Sequence, residues 1–192
     1  MAYATYITEA LVCGTRNRNT ADRSYLMFTR EAGMLFADAR SVREERSRQR
    51  YALQDFSLVR VTLIKGKSGW RIGSVEALSN YYNQAEDKAA RGSVVKLVRL
   101  LRRFVHGEET HRELFDYLKD ALEVLSVQTE KRSFVEDVIQ LELLRMLGYV
   151  DVKRLPEELR DIHPTKVVLL NETSMQKSLE KLLKTAVSVS HL

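Results

Sequence analysis

At 192 residues, with 44% hydrophobic and 30% charged side chains, the chain has an ordinary globular composition and length for one large core or two small ones. Its single cysteine, Cys13, excludes an internal disulfide. No basic stretch with an apolar core behind it opens the chain, and no apolar run approaches the roughly 18 residues of a membrane span. The expectation is a soluble, cytoplasmic protein. Charge is unevenly divided: residues 1–71 carry 13 Lys/Arg against 7 Asp/Glu and the remainder 18 against 19, so the formal +5 belongs to the N-terminal part.

A first strand is predicted from Ala4 to Cys13, ending at Gly14, with Thr15-Arg16-Asn17-Arg18-Asn19-Thr20 as a polar, basic turn. A second runs from Ser24 to Thr29 and turns at Glu31-Ala32-Gly33. The third, Met34 to Ser41, places Leu35, Ala37 and Ala39 on one face and Met34, Phe36, Asp38 and Arg40 on the other. The densest charge, Arg43 to Arg50, follows, diluted by Glu44 and Glu45. Strand four, Phe56 to Ile64, alternates Val59, Val61 and Leu63 with Arg60 and Thr62. Lys65-Gly66-Lys67-Ser68-Gly69 then turns into strand five, Trp70 to Val75. Five short strands in about 75 residues are too few for two good sheets and predict a small closed barrel.

After Val75 the apolar period changes from two to 3.6. The boundary is placed near Asn80 to Glu86, giving a β-rich domain over residues 1–80 and a helical bundle over 81–192, an α+β chain. Val94, Leu97, Val98, Leu101 and Val105 make one helical stripe. Thr110 with Glu113, and Ser133 with Glu136, have capping-box spacing and predict two further helix starts. Gly148 is a plausible stop after the second. Asp151 to Thr165 holds both prolines and reads as irregular, with one helical turn at Pro156 to Arg160, and Met175 to Val187 reads as a last amphipathic helix.

Catalytic signatures are missing. Lys65-Gly66-Lys67-Ser68 has the tail of a phosphate-loop motif, but that motif needs glycine where Val61 stands and a helix where Gly69-Trp70-Arg71-Ile72 reads as strand. His106, His111, His163 and His191 are scattered without metal-ligand spacing, so neither a metal nor a cofactor is expected. Cys13 reads as a small buried apolar residue.

Two charged features could do work. The barrel turns holding Arg16 and Arg18, Arg43 to Arg50, and Lys65 with Lys67 share one sign, which suits a nucleic-acid backbone; the plainer account is that polar arginines keep loops and strand edges soluble. The stretch from Lys88 to Gly107 has no acid, and Lys96, Arg99, Arg102 and Arg103 fall away from the apolar stripe. A solvated helix face explains that equally; a phosphate or an acidic peptide tail would also suit it. Among the aromatics, Phe36, Phe56, Trp70, Tyr81 and Tyr82 could stack on bases or fill the core.

Several segments resemble the bacterial recombination mediator family RecO. Tyr6-Ile7-Thr8-Glu9-Ala10-Leu11-Val12 looks like its first strand, and Ala21-Asp22-Arg23 with Leu26 to Gly33 like its second strand and turn. Leu53-Gln54-Asp55-Phe56-Ser57-Leu58 and Gly66-Lys67-Ser68-Gly69 are similar to the run into strand four and the turn after it. Glu113 to Leu118, Ala121 to Leu125, and Glu142 to Tyr149 resemble its helices, in the right order. The resemblance implies an N-terminal OB-fold with a helical domain behind it, binding of single- and double-stranded DNA, strand annealing, and partnership with RecR and the single-strand-binding protein, with no membrane association. Carried over by position, the DNA contacts would be Arg16, Arg18, Arg23, Arg40, Arg43, Arg46, Arg48 and Lys67, to which the turn reading adds Lys65. The acidic tail of the single-strand-binding protein would dock on Lys96, Arg99, Arg102 and Arg103. Two departures stand out. Many members carry a four-cysteine zinc module after the Leu-Gly-Tyr helix, whereas here Asp151 to Asn171 takes that place without a cysteine; the chain is also shorter than most at its C-terminal end. The resulting reading is a non-catalytic, nucleoid-associated DNA-binding mediator. The alternative is a protein-interaction scaffold that keeps the fold and binds an acidic peptide through its helical domain.

Overall fold

The computed structural model describes residues 4–127, 129–170 and 175–189. The chain divides into two units, one holding residues up to 84 together with 101–115, the other holding 85–100 together with residues from 116 onward.

In the first unit, β1 (Ala4–Asn17), β2 (Arg23–Thr29), β3 (Gly33–Ala39), β4 (Ser57–Gly66) and β5 (Gly69–Asn80) hydrogen-bond in the order β1-β2-β3-β5-β4, and β4 pairs back onto β1. Neighbours are antiparallel except β3 and β5, which meet in parallel at Ala37↔Trp70 and Asp38↔Arg71. This is the five-stranded Greek-key arrangement of the OB-fold. Short helices α1 (Gln49–Ala52) and α2 (Tyr81–Gln84) follow β3 and β5.

Closure depends on β1. Its first half pairs with β4, from Ala4↔Lys65 to Leu11↔Leu58, and its second half with β2, from Ala10↔Thr29 to Asn17↔Arg23. The register slips between Val12 and Gly14, a bulge that bends the strand from one partner to the other. Alternate residues point inward: Ala10, Val12, Tyr25, Met27, Val59, Val61 and Leu63 are all at least 99% buried. Cys13, also buried, has its thiol pushed up to about 12 by burial, which suits packing rather than nucleophilic chemistry.

The structure corrects two expected ends. β1 does not stop at Gly14 but continues to Asn17, so Arg16 is a strand residue opposite Ser24. Cys13 is the unpaired residue of the bulge, and Gly14 after it pairs with Leu26 where a Cβ would stand 3.3 Å from the Arg102 guanidinium. β5 extends to Asn80 because its polar half, past Val75, still pairs with the start of β4.

Residues 107–112 tie down the β2–β3 hairpin. Met34 N–H donates to the Gly107 carbonyl (2.8 Å), Thr110 Oγ1 to the Glu31 carbonyl (2.8 Å), and Arg112 Nε to Glu31 Oε2 (2.9 Å). Thr110 therefore does not cap a helix, as its spacing suggests; its hydroxyl is spent on the hairpin. Phe28 and Phe115 pack beside this anchor with ring centroids 5.6 Å apart.

The helices are α3 (Lys88–Phe104), α4 (Arg112–Ser126), α5 (Arg132–Met146), α6 (Pro164–Val167) and α7 (Gln176–Val189). Asp87 Oδ1 caps α3 by accepting from Ala90 N–H (2.6 Å). The Ser133 capping box is not formed. α5 starts at Arg132, which leaves Ser133 inside the helix, and Glu136 instead accepts from Ser93 Oγ (2.5 Å) and Lys96 Nζ (2.9 Å). α5 ends as expected at Gly148 (φ 81°), where Gly148 N–H bonds the Arg145 carbonyl and Tyr149 N–H the Leu144 carbonyl, a Schellman closure. Rather than showing one apolar face, α5 is buried from Phe134 to Leu144 except Glu136, including Asp137, Gln140 and Glu142. Burial raises the Asp137 pKa, while Glu142 is neutralised by Arg145, which also reaches Asp161 (2.6 Å). Leu155, Leu159, Ile162 and Val167 are buried in the stretch that follows α5, which forms 3₁₀ turns at Val152–Arg154 and Glu157–Leu159.

Gly33 has φ 66°, and a Cβ there would lie 2.2 Å from the Glu109 carbonyl oxygen. Gly33→Ala is expected to cost about 2 kcal/mol or more, from left-handed strain plus the backbone clash. Urea unfolding of the two proteins measures it, and an unchanged midpoint would refute the assigned anchor.

Candidate nucleic-acid interface

The β1–β2 turn is held by its own side chains. Asn19 Oδ1 accepts from the N–H groups of Ala21 (2.9 Å) and Asp22 (2.6 Å), and Asn19 Nδ2 donates to Asp22 Oδ2 (2.8 Å). Asp22 also accepts from Ser41 N–H (2.8 Å), which, followed by Asn19, lowers the carboxyl pKa. Arg43 completes the seam: its N–H donates to the Ala21 carbonyl (3.1 Å) and its guanidinium to the Asn19 carbonyl (3.0 Å). Val42, buried to 1% exposure, roots the loop between them. The basic turn after β1 and the basic run after β3 thus form one stitched surface.

On one side of this seam lies an open groove of about 650 Å³. Arg16, Asn17 and Arg18 come from the end of β1 and its turn, Ser24, Phe36 and Asp38 from β2 and β3, Ser68, Gly69 and Trp70 from the β4–β5 turn, and Glu108 from the anchoring segment. Phe36 is 45% exposed, with the Arg16 guanidinium 4.3 Å from its ring centroid. Tyr6, 41% exposed, packs edge-on to Trp70 at 5.3 Å.

Both acids in the groove are engaged. Asp38 pairs with Arg18. Glu108 accepts from Lys65 Nζ (2.7 Å) through one oxygen and from Trp70 Nε1 (2.9 Å) through the other. Lys65 and then Trp70 hold the Glu108 carboxyl below its ordinary range, and Glu108 raises the Lys65 pKa in turn.

The expected contacts therefore separate. Arg16 and Arg18 enter this groove; Lys67 stands exposed in the turn beside it. Arg40, Arg43, Arg46 and Arg48 are exposed on the stitched loop, where Arg43 is committed to the Asn19 carbonyl while the side chains of Arg46 and Arg48 have no ion-pair partner among the described residues. Arg23 lies in a different groove, where its Nε donates to Asn17 Oδ1 (3.2 Å). Of the aromatics singled out, Phe36 and Tyr82 are exposed, Phe56 stacks on Tyr82 at 5.5 Å, and Trp70 and Tyr81 are buried. Tyr6 and Tyr51, 62% exposed, were not legible as surface residues; an aromatic directly after the arginine run was the one available signal. Nothing local pointed to Glu108, whose partners lie 38 and 43 positions away.

On α3, Lys96, Arg99, Arg102 and Arg103 are all exposed. Lys96 is paired with Glu136, Arg102 lies over Gly14, and the Arg103 guanidinium is 5.5 Å from the Phe104 ring centroid. Lys96 and Arg99 belong to one unit and Arg102 and Arg103 to the other. Among the described residues no group of three or more His, Cys, Asp or Glu is placed to hold a metal ion; His163 faces Asp120 at 3.0 Å, and His191 lies outside the described residues. No described helix is long and apolar enough to cross a membrane.

Comparison with known proteins matches two family models, "Recombination protein O N terminal" over residues 1–81 and "Recombination protein O C terminal" over residues 90–150. The DNA repair protein RecO of Desulfitobacterium hafniense is 29% identical over 144 residues, 75% of this chain and 52% of that one. Its namesakes from Alkaliphilus metalliredigens (24% over 141 residues, 73% and 57%) and Symbiobacterium thermophilum (27% over 146 residues, 76% and 58%) are similar. The chain spans about half the length of the curated relatives it matches.

Glu108 makes the groove acid-sensitive. A carboxyl with a lowered pKa keeps its interaction above the ordinary value of 4.5 and loses it as pH falls through the depressed one. The indole N–H resonance of Trp70, the single tryptophan, should therefore stay fixed from neutral pH to about 4.5 and move only below it, and Glu108→Gln should remove that step. A midpoint above 4.5 would contradict the assigned bonds.

Proposed function

The chain belongs to the RecO family, and from that premise we propose that it is a non-catalytic mediator of recombinational DNA repair that holds single-stranded DNA in the Phe36 groove and brings complementary strands together. One observation carries the reading: Arg16 and Arg18 frame an exposed aromatic ring where the β1–β2 turn, the β2–β3 face and the β4–β5 turn converge. Those are the elements with which OB-folds take oligonucleotides.

The energetics are favourable to exchange. Exposed ion pairs such as Arg18–Asp38 and Lys65–Glu108 contribute about 0–1 kcal/mol, so a phosphate can replace the carboxylate at little cost. Moving Arg16 off Phe36 gives up about 0.5–1 kcal/mol, whereas a base stacked on an aromatic ring contributes about 1–3 kcal/mol. Arg46, Arg48 and Lys67 add phosphate ligands with no carboxylate to displace among the described residues. Duplex DNA would use the same stitched loops without the stacking. Annealing on such a surface needs neutralised backbones and accessible bases, and no reacting side chain.

The further elements of the reading are a cytoplasmic, nucleoid-associated location, pairing with RecR, and docking of the acidic tail of the single-strand-binding protein on α3. Arg99, exposed and without an ion-pair partner among the described residues, is the first residue to test for the tail.

Fluorescence anisotropy of a labelled single strand tests the groove. Arg16→Glu with Arg18→Glu should weaken binding at least tenfold while thermal unfolding stays close to wild type. It should also flatten the slope of log affinity against log salt by about 1.4, two single-strand phosphate contacts at about 0.7 each. Unchanged affinity in the folded double variant would remove this groove from the site.

A further inference from the structure

A second groove, of about 580 Å³, opens at the same end of β1. Asn17 lines both grooves, so the two adjoin at the last residue of the strand. Arg23 reaches the second groove from β2, and Arg50 and Tyr51 reach it from α1. The Arg50 guanidinium sits 4.7 Å from the Tyr51 ring centroid and donates to Tyr51 Oη (2.6 Å), which holds an exposed aromatic face next to a cation. The acid in the groove, Asp55, accepts from Thr15 Oγ1 (2.6 Å) and so is already engaged. The chemistry resembles that of the first groove: an exposed ring, two arginines and only engaged carboxylates, one here against two there.

We infer that this second groove binds a second stretch of single-stranded nucleic acid, stacking a base on Tyr51 and neutralising phosphates with Arg23 and Arg50. This rests on the reading of the first groove as a single-strand site and extends it: with two tracks that adjoin at Asn17, one chain holds both strands that are to be annealed. A ring flanked by cations is suited to any base, because every base offers a π-face. An acidic peptide would use the two arginines and leave the exposed ring unused.

The test uses the full chain and a short oligodeoxythymidine that fits one groove. The Trp70 indole resonance reports the first groove alone, since Trp70 lines it and does not line the second. Calorimetry counts oligonucleotides bound. The expected result is two per wild-type chain, with Arg50→Ala and Tyr51→Ala together reducing this to one while the Trp70 shift and its midpoint persist. Annealing of complementary strands should then fall about tenfold, the loss of one stacked base. One oligonucleotide per wild-type chain with a normal Trp70 shift overturns the second groove and leaves the first standing. Two per chain in a folded double variant also overturns it. No binding and no Trp70 shift brings down both readings together. If the double variant is unstable, one oligonucleotide per wild-type chain still overturns the second groove, and Tyr51→Ala alone, expected to weaken the second binding event and leave the Trp70 midpoint unchanged, takes its place.

Discussion

The pairing of one long strand with two partners is the constraint on which the rest depends. β1 is hydrogen-bonded to β4 through its first half and to β2 through its second, and the slip between Val12 and Gly14 turns it between them. A straight strand of 14 residues could not do both, because the barrel closes only if the sheet curves. That curvature brings the β1–β2 turn, the β3–β4 loop and the β4–β5 turn to where Arg18, Arg43 and Lys67 stand. Gly14 stands where a side chain would meet Arg102, not where the strand ends.

Charge alone would have given a misleading picture of the surface. The net positive charge of the first 71 residues is real, yet several of its members are engaged inside the protein: Arg18 with Asp38, Lys65 with Glu108, Arg43 with the Asn19 carbonyl. These contacts are exposed and cheap to break, so they preorganise the cations without removing them from use. Glu108 has a double role in the groove. It orders Lys65 and Trp70 in the free protein, and in the proposed site it would compete with an incoming phosphate.

Much of the fold was legible because its signals are local. Period-two alternation in Val59, Val61 and Leu63 located strand four, the shift to a 3.6 period located the helices, and Gly148 marked a helix end that the structure closes with a Schellman pair. What failed was what depends on partners far along the chain. Thr110 and Ser133 have the spacing of caps, but Glu31 claims the first hydroxyl, and Ser93 and Lys96 claim the Glu136 that the second box needs. The burial of polar residues on α5 is likewise set by partners, since pairing with Arg145 lets Glu142 stay buried. The site was half visible. Arg16 and Arg18 were marked by composition, but the separation of Arg23 from them follows from strand register, and the exposure of Tyr6 and Tyr51 from tertiary placement.

The direct test of the central claim, that the barrel face between the β1–β2 and β4–β5 turns receives single-stranded DNA, is photocross-linking with a halogenated-uracil oligonucleotide followed by peptide mapping. The account predicts adducts on Phe36, Tyr6 or Trp70, competed by unlabelled single strand and lost at high salt. Adducts confined to residues from 116 onward, with the barrel aromatics unmodified, would contradict it.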